Sequence, residues 1–252
     1  MEIRWLSILI DVPARHVDAA RAFWTAVTDT TPGRPLGDED EYLPLQPAEG
    51  DAYLCLQRVG RDTGGWHLDL HVDDLDAAAT HATALGAALL NAVDGLRVLA
   101  TPAGQPFCLI DEPPAGGGRR PAPPRFAGGR SLADQFCFDV PAGDFDREAD
   151  FWAALTGWPR LRRAEEAGTE FDRIGVPERL PAQFLLQRLG ADDSEGPHAH
   201  LDFSADDRDA EVDRHVALGA QVIRRTEGWT TLRDPAGLVY CVTGRPTGLR
   251  IT

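Results

Sequence analysis

The chain has 252 residues, 43% of them hydrophobic and 26% charged, with a formal net charge of -15. That length and composition suit one large or two ordinary globular domains with a real core. So acidic a surface repels phosphate backbones and anionic lipid, which argues against nucleic-acid and membrane partners. All 25 basic residues are arginine, which excludes Schiff-base lysine chemistry.

In chain order, "LSILIDVP" reads as a strand with an extended Pro signal at its end. "RHVDAARAFWTAV" reads as a helix, with Val17, Ala20, Phe23, Trp24 and Val27 on one face. Strands are expected near "EYLPLQ" and "AYLCLQRV", and "WHLDLHV" alternates cleanly. Asp73 or Asp74 supplies an N-cap for the helix "LDAAATHATAL", with Gly86 as its C-terminal stop. "GLRVLAT" and "QPFCLI" follow as strands around Pro-Ala-Gly.

The pattern then repeats. Residues 67–109 match 200–242 without gaps at 17 of 43 positions, including His67/His200, Asp69/Asp202 and Cys108/Cys241. "IDVPA" at 10–14 returns as "FDVPA" at 138–142, and "LQRVG" at 56–60 as "LQRLG" at 186–190. This is duplication of a whole domain. The boundaries read as domain one at 1–112, a Pro/Gly/Arg-rich linker at 113–131 and domain two at 132–252. Alternation sorts the strand faces. Ile8, Ile10 and Val12 oppose Ser7, Leu9 and Asp11; Leu68, Leu70 and Val72 oppose His67, Asp69 and His71. The apolar sides are expected to take the helices, which leaves the mixed polar sides for water or a hollow.

The N-terminus is too short and too charged for a signal peptide, and no apolar run approaches a membrane span. A cytoplasmic location is expected, with Cys55, Cys108, Cys137 and Cys241 as reduced thiols.

"HLDLHVDDLDAAATHATALGA", "LRVLATPAGQPFCLI" and their second copies resemble the vicinal-oxygen-chelate superfamily, which holds glyoxalase I, bleomycin-resistance proteins and extradiol dioxygenases. The likeness is greatest to its glyoxalase-like branch. It implies an α+β fold of two tandem domains, each of two βαβββ half-modules, with curved sheets forming concave cups and helices on the outer face. In metal-using members the ligands come from the first and last strands of each half-module. Those positions hold Ser7, Cys55, His67 and Cys108 in domain one, and Gln135, Leu185, His200 and Cys241 in domain two.

No last-strand position carries the usual glutamate, so no cofactor is favoured. Any divalent ion is expected on Cys55, His67 and Cys108, as soft-tolerant donors. Ser7, Tyr53, Cys55, His67, Cys108, Gln135, His200 and Cys241 are the expected ligand-binding residues, with His67, His200 and Asp69 as catalytic candidates. The favoured function is metal-independent binding or sequestration of a small aromatic or natural-product-like molecule, as in bleomycin resistance. The alternative is an enzyme of lyase, isomerase or dioxygenase type, either metal-assisted or using His67 or His200 as acid–base. The internal duplication fits a monomer acting as its own pseudo-dimer, with a homodimer left open.

Overall fold

The computed structural model describes residues 2–111, 117–162, 170–190 and 196–248. Domain one runs β1 (Ile3–Pro13), α1 (Val17–Thr28), β2 (Thr30–Pro32), β3 (Tyr42–Pro47), β4 (Leu54–Val59), β5 (Gly65–Val72), α2 (Leu75–Ala84), β6 (Ala88–Val93), β7 (Leu96–Ala100) and β8 (Pro106–Ile110). After a short β9 (Arg125–Phe126), domain two repeats the order. It has β10 (Gly129–Val140), α3 (Phe145–Thr156), β11 (Arg160–Arg162), β12 (Phe171–Ile174), β13 (Gln183–Arg188), β14 (His198–Ala205), α4 (Arg208–Ala217), β15 (Gln221–Arg225), β16 (Trp229–Arg233) and β17 (Val239–Thr243). Both halves of each domain are βαβββ units. Part of the expected linker, residues 113–116, lies outside the described residues, as does residue 112 at the end of domain one; the linker's last residues, from Gly129, already belong to β10.

The caps fall where the side chains dictate. Asp74 accepts the amide N–H of Ala77 at 3.0 Å, and Asp207 that of Ala210 at 3.0 Å, satisfying an otherwise orphaned helix donor. Gly86 and Gly219 end the two helices at φ +102° and +111°, a left-handed conformation that a side chain would oppose.

Each domain forms one open sheet. The strand order is β2-β3-β4-β1-β5-β8-β7-β6 in the first and β11-β12-β13-β10-β14-β17-β16-β15 in the second. The two half-modules join where β1 pairs antiparallel with β5, and β10 with β14. Each cup is therefore built within one domain.

Alternation sorts the faces as expected. Ile8, Ile10, Leu68 and Leu70 are fully buried in the core. The helices sit on this apolar outer face, and the outer faces of the two domains are turned toward each other. The Trp24 indole of α1 stacks 6.3 Å from Phe203 of β14 and donates its N–H to Asp234 Oδ2 at 2.8 Å. Reciprocally, Trp152 of α3 packs 5.3 Å from Phe107 of β8 and donates to Glu148 Oε1 at 3.0 Å, while Glu148 Oε2 accepts the Ala103 N–H. Arg214 of α4 caps the carbonyls of Ala26 and Val27 at the end of α1, a favoured place for a cation. Each domain's first helix thus covers the other domain's second half-sheet.

Candidate functional site

The inward faces of β1 and β5 bring together residues distant in sequence. Register pairs Leu9 with His67 and with Cys55, and Asp69 with Cys108. Asp11, two residues beyond Leu9, lies on the same face. The His67 Nδ1 lies 3.1 Å from Asp11 Oδ1, and its Nε2 lies 3.4 Å from Asp69 Oδ1. Arg61 donates to the other side of Asp11 at 2.5 Å.

Domain two repeats the arrangement. His200 Nδ1 lies 2.5 Å from Asp139 Oδ2, and Nε2 lies 3.2 Å from Asp202 Oδ1. The Gln135 amide donates to Asp202 Oδ2 at 2.6 Å.

Electrostatics follow from this geometry. Burial pushes both imidazole pKa values down, but the flanking Asp11 and Asp69, or Asp139 and Asp202, outweigh it, and both end well above the ordinary histidine value. Burial pushes the Cys55 thiol up to about 12 and the Cys108 thiol up to about 11. Each hollow therefore has an imidazole clasped between two carboxylates, with thiols beside it.

The second hollow opens into a cavity of about 240 Å³. Gln135, Leu185, His200 and Cys241 all line it, together with Phe171, Arg173, Gln187 and Trp229. The Phe171 and Trp229 rings meet edge to face at 5.9 Å. In the first hollow the counterpart of Phe171 is Tyr42, since each pairs with the glutamine two residues beyond Cys55 or Leu185. The Tyr42 hydroxyl accepts from Gln57 at 3.3 Å, and its pKa is raised by burial and by Asp69.

The expected residues are distributed unevenly. Ser7 lies on the inward face but bonds His71 Nε2 at 2.9 Å. Tyr53 is outside the hollow: it is buried, and its hydroxyl donates to the Ala133 carbonyl of domain two at 2.6 Å. It precedes β4, where strand alternation does not reach, so sharing parity with Cys55 did not give it the same side. Of the expected ion-holding trio of Cys55, His67 and Cys108, the structure groups the last two with Asp69. The clustered donors are His67, Asp69 and Cys108, and in domain two His200, Asp202 and Cys241, the atoms of each group lying within 4.8 Å of one another. Cys137 and Asp139 form a further group with His200. Asp11 and Asp139 were legible as inward residues yet unassigned; Phe171 and Arg173 arrive through tertiary packing alone.

A family model described as a glyoxalase-like domain matches residues 7–110 and again 135–243. The chain belongs to that family. No curated protein matches it in sequence. Among solved structures, the 2,3-dioxygenase LapB from Pseudomonas sp. KL28 superposes with a TM-score of 0.64 at 13% identity, covering 96% of this chain and 92% of that one. A catechol 2,3-dioxygenase gives 0.58 at 14% identity over 100% and 92%. A mutant of 4-hydroxymandelate synthase from Streptomyces coelicolor gives 0.57 at 16% over 99% and 94%. These likenesses establish the fold, two tandem glyoxalase-like domains in one chain.

The donor set fits a divalent ion. Asp202 is 3% exposed, and its Oδ1 lies 3.2 Å from His200 Nε2 without a well-formed hydrogen bond, so both atoms are placed to share a cation. An imidazole anchored through Nδ1 by a carboxylate presents Nε2 in the manner of metal-bound histidines. The expectation that no cofactor is favoured does not survive these groups.

Proposed function

We propose that this glyoxalase-like protein is an enzyme that acts on an oxygen-bearing, single-ring molecule held in the second hollow. The observation that carries the reading is the His200 ring, turned by Asp139 so that Nε2, Asp202 and Cys241 share the floor of a cavity. At about 240 Å³ that cavity is smaller than the roughly 300–1,000 Å³ of drug-sized sites. The structural neighbours whose names include catechol and hydroxymandelate chemistry support the enzyme reading over sequestration, and nothing in the fold singles out antibiotic binding.

A bound divalent ion would supply a Lewis acid for a ligand oxygen; His200, Asp202 and Cys241 would hold it. The remaining work is the chain's. Asp139 fixes the tautomer and plane of His200. Gln135 pins Asp202. Phe171 and Trp229 offer aromatic walls for a planar ring, and the Arg173 guanidinium supplies a cation toward an anionic substituent. The buried outer faces of the sheet exclude water from below.

Calorimetric titration with catechol and with 4-hydroxymandelate as binding probes, coupled to product detection by absorbance for catechol in air-saturated buffer, tests this. Saturable binding with turnover is expected in the wild type, abolished in His200→Ala and weakened at least tenfold in Trp229→Ala. Neither compound binding, or His200→Ala behaving as wild type, refutes the reading. Binding without turnover moves the protein to sequestration.

A further inference from the structure

We infer that the second hollow selects a ring that carries a carboxylate, and that it does so with arginines the first hollow lacks. The inference rests on the reading of the second hollow as the ligand site and adds the charge of what that site takes.

The two copies act as an internal comparison. On β12, Arg173 pairs with Leu185, two residues before Gln187. On β3 the matching residue is Pro44, paired with Cys55, two residues before Gln57. On β15, Arg224 pairs with Thr231, which in turn pairs with Cys241. On β6 the matching residue is Asn91, opposite Val98 and, beyond it, Cys108. Trp229 pairs with Thr243, and its match is Leu96, paired with Ile110. Paired residues share a sheet face. One hollow therefore has guanidinium groups and an indole where the other has proline, asparagine and leucine. Arg61, beside the first floor, is engaged by Asp11.

The walls of the second hollow suit an anion. Arg173 and Arg245 both line the cavity, and Arg224 lies over the Trp229 ring at 5.9 Å. Arg245 is fixed by a fully buried carboxylate: Asp134 accepts from its Nη2 at 2.6 Å and from its Nη1 at 3.3 Å. That forked pair sets the plane of the guanidinium and uses only part of its donors. The floor carboxylates are already engaged, Asp139 with His200 and Asp202 with Gln135. On a chain of net charge -15 an anion approaches against the overall field. Clustered guanidinium groups reverse that field locally, which a neutral ring does not require. Phe171 and Trp229 take the plane of the ring, and its oxygen faces His200. The carboxylate then lies toward Arg173 and Arg245, since a planar guanidinium matches a carboxylate through two parallel hydrogen bonds.

Calorimetric titration of the full-length protein with 4-hydroxymandelate and with its uncharged amide tests the selection. The acid should bind as one equivalent per chain, about 10–100-fold tighter than the amide, the range that a charge-assisted hydrogen bond supplies. The gap should shrink as salt is added. Arg173→Gln should bring the acid most of the way to the amide, and Arg224→Asn, which installs the first hollow's residue, part of the way. Arg245 is kept, because its loss would strand the buried Asp134. The wild-type comparison stands whatever the variants do to folding. Equal affinity for acid and amide, two equal equivalents of acid per chain, or an unchanged ratio in a folded Arg173→Gln/Arg224→Asn double variant overturns the inference. Catechol turnover that depends on His200, beside equal binding of acid and amide, leaves the proposed function standing. Acid-selective binding with no turnover overturns the enzyme reading alone, and binding of neither compound overturns both.

Discussion

Asp139→Asn should weaken cation binding in one hollow and leave its twin untouched. Asp139 is 3% exposed, and its Oδ2 lies 2.5 Å from His200 Nδ1. The amide retains an acceptor oxygen but loses the charge that raises ring basicity, and it gains a donor edge that can turn the ring. Loss of such an outer-shell partner typically costs 10–100-fold in metal affinity, or about 1.4–2.7 kcal/mol. The first hollow, where Asp11 anchors His67, is an internal control in the same cuvette. Cobalt titration of Asp139→Asn should therefore become biphasic, with one equivalent at wild-type affinity and one weakened by that factor. Asp11→Asn should give the mirror result, with the first hollow weakened instead. A single unchanged isotherm, or equal weakening of both equivalents, would refute the claim that these carboxylates act through their own histidines.

Trp24→Phe removes an N–H whose acceptor is the buried Asp234 carboxylate. The loss should be about 2 kcal/mol, seen as a fall in melting temperature of roughly 4–8 °C for a chain of this size; no change would show that the indole contributes shape alone. Acid stability should depend on Glu211. Burial raises its pKa, but Arg214 and His215 pull it down to about 2 from an ordinary 4.5. Its native value is the lower one, so its contribution is fully present above about pH 4.5 and is lost as pH falls toward 2. Buried His215, whose pKa is lowered by burial, adds loss in the same acid direction. Glu211→Gln should flatten the fall of the urea midpoint across that window, and an unchanged slope would contradict it. Asp74→Ala and Asp207→Ala should each cost about 1 kcal/mol in urea unfolding by removing a helix cap, and an effect near zero would discount the capping bonds.

Much of the fold was legible because its signals are local. The repeated "HLDLHVDDLDA" phrase announces a strand, a cap and a helix in eleven residues, and the period-two alternation in β1 and β5 assigns their faces without any tertiary knowledge. The same alternation put His67, Asp69 and Asp11 on one side, so the floor of the hollow was partly readable. What sequence did not give is pairing across strands. That Asp69 rather than Cys55 joins His67 and Cys108 depends on the β5–β8 register. The walls of the cavity come from β12 and β16, whose approach to β14 is set by the whole sheet. Tyr53 is a related case: it lies just before β4, and its hydroxyl is engaged by the Ala133 carbonyl of the other domain.

Joining the two copies in one polypeptide has a consequence for chemistry. In an assembly of identical subunits any replacement in one concavity appears in its twin. Here the pair is joined by the polypeptide itself and packed helix to sheet across the domains, yet each member mutates alone. Tyr42 against Phe171, and Ser7 against Gln135, are differences that only such an arrangement permits: one scaffold, a shared set of reactive atoms, and two independently tailored mouths.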